Sequence, residues 1–379
     1  MPVVDVRPLP TPAGTPLPDA DVVLEIYDSP AELPGDAWDD VPGASPFLRS
    51  GWLTAFAAAG GPATRYLLFR SAGVGEVVGI ALEQRLPTAA MTFGAVPAGL
   101  VRRVFGRELR QFGQALFSGP HGARFPDASR AVGLLAAARE ALRTGRAPWL
   151  AKDLPAEVTA SADWTPLRTL PDLVLDLDPR WSDFGDYLVA LPSKYRRRAR
   201  RARKAMVEAL TVRSLSGVDL AGHADRIDAL YAELLRRADY VPFRAPRGYV
   251  AALARAAGDD CVVRGFFDGE RLVGFSTLLL GGGEALAHFA AVEPAYNASH
   301  QLYLNLLFDL LASAIGAGAS RLHYGRTATT IKSSVGAAPV RTSSFATHDS
   351  GLRRRLLRGL NAGVLDGRDA EAPVRRPFG

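Results

Sequence analysis

The stretch from Glu284 to Gly336 constrains the fold most, because strand, helix and strand patterns follow one another within it. Ala285 to Val292 is apolar on both faces except for His288, which is typical of a strand buried on both sides. We expect a short loop, then a helix from about His300 to Ile315, then a strand over Arg321 to Gly325 and a polar turn. This order predicts an α/β unit with a helix N-terminus beside the end of a central strand. Free amides and the helix dipole at such a point suit a phosphate or a developing oxyanion.

Two hairpins with the same design indicate an internal repeat. Val77 to Ala81 aligns with Leu272 to Ser276, and each follows a strand and a glycine-containing turn. Each hairpin also comes before a helix and a further strand, so the chain reads as two copies of one unit. A chain of 379 residues is long enough for two such cores. The predicted fold class is therefore α/β, with mixed sheets of the α+β kind, built as one compact pseudo-repeat.

Charge and cysteine content restrict the kinds of partner and site. The net charge of +6 predicts attraction to anionic partners without specifying them. Cys261 is the single cysteine and opens an apparent strand, so we expect a buried apolar role for it and neither a disulfide nor a metal site. The sequence contains no run of about 18 apolar residues, so we expect no membrane-spanning helix. The start has no secretory pattern, which favours a cytoplasmic protein, with peripheral contact to the inner face of the membrane left open.

Several short motifs carry a family resemblance. The run Tyr324-Gly325-Arg326-Thr327, followed by Ile331-Lys332 and Val335-Gly336-Ala337-Ala338-Pro339, resembles the closing signature of Fem-type and cellulose-biosynthesis-protein-like acyltransferases of the GNAT superfamily. Ser45 to Leu53 resembles the Pro-Phe-x-x-x-x-Trp-Leu motif near the start of the same families, although Phe47 and Trp52 are also expected simply to hold a helix against a sheet. Two departures are Ile331, where the families usually have Phe, and Val335, where they often have an aromatic residue.

The resemblance implies two tandem GNAT-like domains and acyl transfer to an amine. It implies acyl-CoA as a co-substrate and no permanently bound cofactor. The expected division of the chain is a disordered Pro-rich tail over 1–20, an N-terminal GNAT-like domain over 21–175, a basic helical connector over 176–210, a C-terminal donor-binding domain over 211–350, and a basic helical or disordered tail over 351–379.

A second candidate feature is the basic run that begins at Ser193, which we expect to cap a helix. Its apolar residues form one narrow stripe, so the basic side chains cover most of the circumference. We expect Lys194, Arg197, Arg200 and Arg201 to contact a phosphate-bearing substrate, with a solvated connector as the alternative. The loop aromatics Tyr240 and Phe243 would either wall a substrate cleft or pack the domains together.

Acyl transfer needs a donor site, an oxyanion site and a route for the amine proton. Candidate catalytic residues are His288, Tyr324, Arg326 and Lys332, and His323 is a further candidate for proton handling. The alternatives are that His288 and Tyr324 belong to the core, that Arg326 pairs with a carboxylate such as Asp309, and that Lys332 is solvated. The candidate donor-binding residues are Asn297, Ser299, His300, Gln301 and Leu302, although these lack the glycines of the usual GNAT coenzyme A pattern.

Three functions remain open at this stage. The first is an N-acyltransferase that uses acyl-CoA and acts on an amine of a cell-envelope or secondary-metabolite precursor. The second is an aminoacyl-tRNA-dependent, Fem-type transferase, and the third is a GNAT-like binding protein without catalysis. The expected partners are a small-molecule or peptide amine and either tRNA or another phosphate-bearing ligand. The sequence leaves the acceptor and the oligomeric state open.

Overall fold

The computed structural model describes residues 21–93, 106–143, 147–161, 163–238, 240–356 and 373–378, together with positions 15–16, 99, 102–103 and 359. In chain order the strands are β1 (Thr15–Pro16), β2 (Val22–Tyr27), β3 (Ala63–Ser71), β4 (Val77–Pro87), β5 (Thr92–Phe93), β6 (Glu108–Phe112), β7 (Ala123–Arg124), β8 (Trp149–Pro155), β9 (Thr165–Leu167), β10 (Asp172–Asp176), β11 (Thr211–Ser214), β12 (Tyr240–Val241), β13 (Cys261–Asp268), β14 (Arg271–Gly281), β15 (Glu284–Val292), β16 (Arg321–Gly325), β17 (Ala338–Val340) and β18 (Thr342–Thr347).

The α-helices, in the same order, are α1 (Gly35–Asp39), α2 (Ser50–Ala58), α3 (Ala131–Leu142), α4 (Phe184–Ala190), α5 (Ser193–Val207), α6 (Gly217–Gly222), α7 (Ala224–Arg237), α8 (Tyr249–Ala257), α9 (Pro294–His300), α10 (Leu302–Gly316) and α11 (Thr329–Ser334). Residues 351–356 are also helical. No helix in the described part of the chain combines the length and apolar character needed to cross a bilayer.

The strands form two large mixed sheets and one short ribbon, which confirms the predicted fold class. The first sheet has the order β1-β2-β3-β4-β6-β8-β18-β9, with β7 also paired to β4. The second has the order β11-β13-β14-β15-β16-β10-β17, and the ribbon joins β5 to β12.

The two sheets repeat one topology strand by strand. In the first, β3 and β4 form an antiparallel hairpin, β6 is antiparallel to β4, and β8 is parallel to β6. In the second, β13 and β14, then β15, then β16 stand in the same relations. Helix α3 provides the crossover between the parallel strands of the first sheet, and α9 with α10 provides it in the second. The predicted two-copy design is confirmed.

One strand of each sheet comes from the other half of the chain. Strand β10 follows the strands of the first sheet in sequence but pairs with β16 and β17 in the second. Strand β18 follows the second sheet in sequence but pairs with β8 and β9 in the first. The halves are therefore joined by exchanged strands, and where one domain ends and the next begins stays a prediction.

Packing on the second sheet positions the central stretch. Helix α10 buries nearly all of its apolar residues on one face of this sheet, including Leu307 and Leu311. On the other face, Phe47 and Trp52 join Tyr249 and Phe275 in a second apolar cluster, with the Phe47 and Trp52 rings 5.7 Å apart. The expectation that Phe47 and Trp52 hold a helix against a sheet is confirmed.

Some predicted local structure was wrong. The expected loop before α10 is helix α9, because Pro294 at its first turn is preset for helical geometry, and Gln301 in the left-handed region (φ 50°) separates the two helices. The expected polar turn after β16 contains α11. Ser193 is the first helical residue of α5 and Pro192 takes the capping position. Nearly all of the predicted Pro-rich tail, and residues 357–358 and 360–365 of the predicted C-terminal helix, lie outside the described residues.

Candidate active site

The parallel strands β15 and β16 separate at the centre of the second sheet. They pair over Glu284 with Arg321, Ala285 with Leu322, and Leu286 with His323. Strand β15 then continues to Val292 with no strand paired on that side among the described residues, whereas β16 ends at Gly325. The separation leaves a gap in the sheet, and His288 lies on the part of β15 that borders it.

The predicted donor-binding residues meet at the junction of α9 and α10, which follows β15. The Asn297 side chain accepts a hydrogen bond from the Tyr303 amide at 3.0 Å, so one early amide of α10 is already occupied. Ser299 donates to the Ala295 carbonyl at 3.0 Å, and Leu302 is fully buried. The predicted residues lie together at this junction, but the side chains of Asn297 and Ser299 already hydrogen-bond to the backbone of the two helices.

Helix α5 lies against this junction. Asn305 of α10 is buried and donates to the Ala202 carbonyl of α5 at 3.0 Å and to the His300 carbonyl at 3.1 Å. The predicted apolar stripe of α5 is buried through Ala199, Ala202 and Met206. Opposite the stripe are the four predicted phosphate ligands, all exposed: Lys194, Arg197, Arg200 and Arg201. The basic face of α5 is therefore open to solvent, on the side of the helix away from the Ala202 contact with α10.

Arg326 joins the two sheets. Its Nε donates to the Leu170 carbonyl at 2.6 Å, and its Nη2 donates to Thr342 Oγ1 at 2.8 Å and to Asp153. The alternative that Arg326 pairs with a carboxylate is confirmed, but the partner is Asp153 and not Asp309, which accepts two hydrogen bonds from Arg264, at 3.0 and 3.1 Å. The guanidinium of Arg326 thus serves first as a buried link between the halves.

Asp153 is the buried carboxylate of this link. Lys152 Nζ donates to Asp153 at 2.6 Å and to the carbonyls of Gln114 and Phe117 at 2.9 and 3.0 Å. Burial alone would raise the pKa of Asp153, but the charges of Lys152 and Arg326 outweigh it and hold the pKa at about 2. The carboxylate is therefore ionised at all ordinary pH values.

Lys332 fixes the loop that follows β16. Its side chain is buried, and Nζ donates to the carbonyls of Gly325 at 3.1 Å and Arg326 at 2.7 Å. The alternative that Lys332 is solvated is wrong. Thr327 and Ala328 have φ values of 63° and 52°, a conformation that disfavours side chains, so the lysine contacts hold a strained turn in place.

His288 and Tyr324 lie on opposite faces of the second sheet. His288 packs with the cluster around Phe117 and lies 3.1 Å from the Tyr249 hydroxyl through Nε2, while its Nδ1 has no partner. Burial lowers the pKa of His288 to about 3, so the ring is neutral near pH 7. Tyr324 donates to the Leu307 carbonyl at 2.9 Å, and burial raises its pKa well above the ordinary value. The structure does not bring these two candidates together.

Only one of the two predicted loop aromatics has a described side chain. The backbone of Tyr240 pairs with Phe93 in the short ribbon, and the Tyr240 side chain lies outside the described residues. Phe243 is half-buried and packs against apolar clusters that include Leu86 and Met91 of the first half. Packing between the halves is therefore the observed role of Phe243.

Sequence reasoning named His323 but missed the buried polar cluster between the sheets to which it belongs. His121, in the loop before β7, lies against His323 of β16 with ring centroids 4.8 Å apart, and Asp172 of β10 completes the group. Burial lowers the pKa of His121 to about 3. Burial would also lower the pKa of His323, but hydrogen bonding and charge from Asp172 and Glu284 prevail and raise it. The available signal was a histidine next to glycine within Ser118-Gly119-Pro120-His121-Gly122, a run unusual in a packed segment.

Comparison with known protein families finds a match in the second half of the chain. Residues 193–333 match the family model described as an acetyltransferase (GNAT) domain. No curated protein matches the chain significantly.

Two solved structures share the fold at low sequence identity. FemX has a TM-score of 0.53 at 12% identity, over 88% of this chain and 100% of its own. A tandem GNAT protein from the clavulanic acid biosynthesis pathway has a TM-score of 0.50 at 14% identity, over 86% of this chain and 99% of its own. At these identities the likeness concerns the fold alone. Residues 193–333 thus resemble a GNAT acetyltransferase domain, and the chain shares its fold with a tandem GNAT protein.

Proposed function

We propose that the protein is an N-acyltransferase that transfers an acyl group from acyl-CoA to an amine of a cell-envelope or secondary-metabolite precursor. The observation that carries the proposal is the separation of β15 and β16 within the segment that matches the GNAT domain. Backbone amides and carbonyls of a strand need partners. The edge of β15 beyond Leu286 can pair with an extended donor that carries amide groups, as a strand would.

The junction of α9 and α10 supports a donor that carries phosphates. Helix α10 is 15 residues long, and the positive end of its dipole lies at the predicted donor-binding residues. The Tyr303 amide already donates to the Asn297 side chain, so it is not free to bind a phosphate. We therefore assign part of the neutralisation of the phosphate charge to the basic face of α5. Lys194, Arg197, Arg200 and Arg201 would offer that charge from the solvent-exposed side of α5.

In the proposed reaction, the amine nitrogen attacks the thioester carbonyl and forms a tetrahedral oxyanion. The carbon–sulfur bond then breaks as the carbonyl reforms, and the thiolate takes up the proton that the amine loses. We assign proton acceptance to His288, because it borders the gap and its Nδ1 has no partner among the described residues. This role requires the bound substrates to raise the pKa of His288 from about 3 towards neutrality. Arg326 and Lys332 contribute by fixing the loop at the end of β16.

One observation favours the aminoacyl-tRNA alternative. The exposed basic face of α5 is larger than one pyrophosphate needs, and each phosphate contact on a single strand adds about −0.7 to the slope of log affinity against log salt. A steep dependence of log affinity on log salt, equal to several phosphate contacts, would indicate tRNA, whereas a shallow dependence fits coenzyme A.

The test is calorimetric titration of the protein with acetyl-CoA, longer acyl-CoAs and charged tRNA at several salt concentrations. We expect saturable binding of an acyl-CoA, and release of free thiol when a panel of amines is added. The triple change of Arg197, Arg200 and Arg201 to Gln should flatten the salt dependence. A matched control is the change of Arg236 and Arg237 to Gln, since both are exposed on α7. Binding of tRNA in place of acyl-CoA would select the alternative, and binding of neither would reject transfer.

A further inference from the structure

Three buried side chains from separate elements converge at the junction of the two sheets. His121 comes from the loop before β7, Asp172 from β10 and His323 from β16, and each is less than a tenth exposed. One potential ligand atom from each of the three side chains lies within 4.8 Å of the other two. Among the described residues, His121 Nε2, Asp172 Oδ2 and His323 Nδ1 have no partner at ordinary hydrogen-bond distance, and the approach of His323 Nδ1 to Asp172 Oδ2, at 3.6 Å, is a long ion pair. Buried polar atoms without partners are costly, so three at one point call for a ligand.

The opposite atom of each side chain is held by an outer partner. His121 Nδ1 lies 2.6 Å from Ser45 Oγ, and His323 Nε2 lies 3.0 Å from Glu284 Oε2. Asp172 Oδ1 accepts a hydrogen bond from Ser118 at 2.7 Å. Such contacts orient both rings so that the inner nitrogens can present lone pairs to the same point.

Gly119 keeps the space beside the three atoms open. Its φ is +98°, and a Cβ placed there would lie 2.7 Å from His121 Nε2 and 3.2 Å from Asp172 Oδ2. Any side chain at this position would press on the two inner atoms. The glycine therefore leaves room at the point where the three polar atoms meet.

We propose that His121, Asp172 and His323 bind a divalent transition-metal ion. Two imidazoles and one carboxylate, with a further position open, form a ligand set suited to zinc and its first-row neighbours. Glu284, Ser45 and Ser118 are the outer partners that orient the ligands. The ion would join β10 and β16 of the second sheet to a loop of the first. This site departs from the sequence-based expectation of no metal, and it does not depend on the proposed acyl transfer.

The test uses the full chain after tag removal and dialysis against a chelator. Calorimetric titration with zinc should give one equivalent per chain, and cobalt should produce the visible absorption of a nitrogen-ligated ion. Zinc should also raise the Tm, because an ion that binds only the folded state stabilises it. His323→Ala should abolish the bound equivalent. His300→Gln, at the end of α9, is the matched control and should retain it.

The outer partners give a second, milder test if the ligand variants fold poorly. Glu284→Gln should lower zinc affinity about ten- to a hundred-fold, as expected when a partner of a metal-bound histidine is weakened. Zinc binding that is unchanged in His121→Ala, in His323→Ala and in Glu284→Gln would overturn the proposal. So would the failure of the wild-type protein to bind zinc or cobalt at all, which would leave the cluster as three groups that share a proton or a water molecule.

Discussion

Arg326→Gln should destabilise the protein far more than loss of an ordinary surface charge. The substitution removes hydrogen bonds to Leu170 and Thr342 and the ion pair to Asp153, whose side chain is 1% exposed. Removing one partner of a buried pair costs about 3–5 kcal/mol. Because Lys152 remains 2.6 Å from Asp153, we expect the lower end, about 3 kcal/mol.

The matched control is Arg321→Gln in the same segment. Arg321 pairs with Asp176 at 2.7 Å, but the two side chains are 47% and 76% exposed. Its loss should cost less than about 1 kcal/mol. The free energy of unfolding is measured by urea denaturation, with the slope of that free energy against urea concentration required to be the same for all variants. The double variant Arg326→Gln, Asp153→Asn is measured in the same way. A coupling energy of about 2 kcal/mol is expected for groups in one buried network. Equal costs for Arg326→Gln and Arg321→Gln would refute the reasoning.

Three further outcomes are expected. His288→Phe should make the free energy of unfolding less dependent on pH below neutrality. Because the pKa of His288 is lowered to about 3 in the folded protein, the wild-type protein should lose stability as the pH falls from 6.5 towards 3. Urea unfolding at each pH should show a loss of about 2 kcal/mol by pH 5 that the variant lacks. Arg110→Met should cost about 3–5 kcal/mol, because Arg110 donates to the fully buried Glu83 at 2.6 Å, and an unchanged thermal midpoint would contradict this. Lys332→Met should cost about 2 kcal/mol, since two partly buried carbonyls lose a donor, whereas the exposed Lys204→Met should be nearly neutral in the same assay.

The fold was largely predictable because its signals are local. Periodicity identified β15, α10 and β16, and the matching hairpins identified the repeat. Strand exchange could not be predicted, because Leu173 to Leu175 of β10 has the same buried pattern whichever sheet receives it. The end of one helix and the start of the next at Gln301 also had no sequence signal, since only its backbone conformation separates them.

The candidate site was predictable in position and only partly in role. Arg326 and Lys332 were chosen for their position after a strand, and both do converge on one loop. Their partners could not be foreseen, because Asp153 is more than 170 residues away in sequence and even its neighbour Lys152 gives no hint of the contact. The histidine and aspartate cluster was missed for the same reason: His121, Asp172 and His323 lie in three unrelated segments that only the tertiary fold brings together.

The exchanged strands determine the order in which the protein can be completed during synthesis. Strand β8 of the first sheet cannot pair with β18 until residues Thr342–Thr347 have left the ribosome, long after β2 to β8 have been synthesised. Until then the edge of β8 is open, and an open strand edge is a template for pairing with other chains. The first half must therefore remain partly folded while the nearly 190 residues between Pro155 and Thr342 are synthesised. A nascent chain stalled before β18 should be a chaperone client, and release of the final strand should be the step that lets both halves fold together.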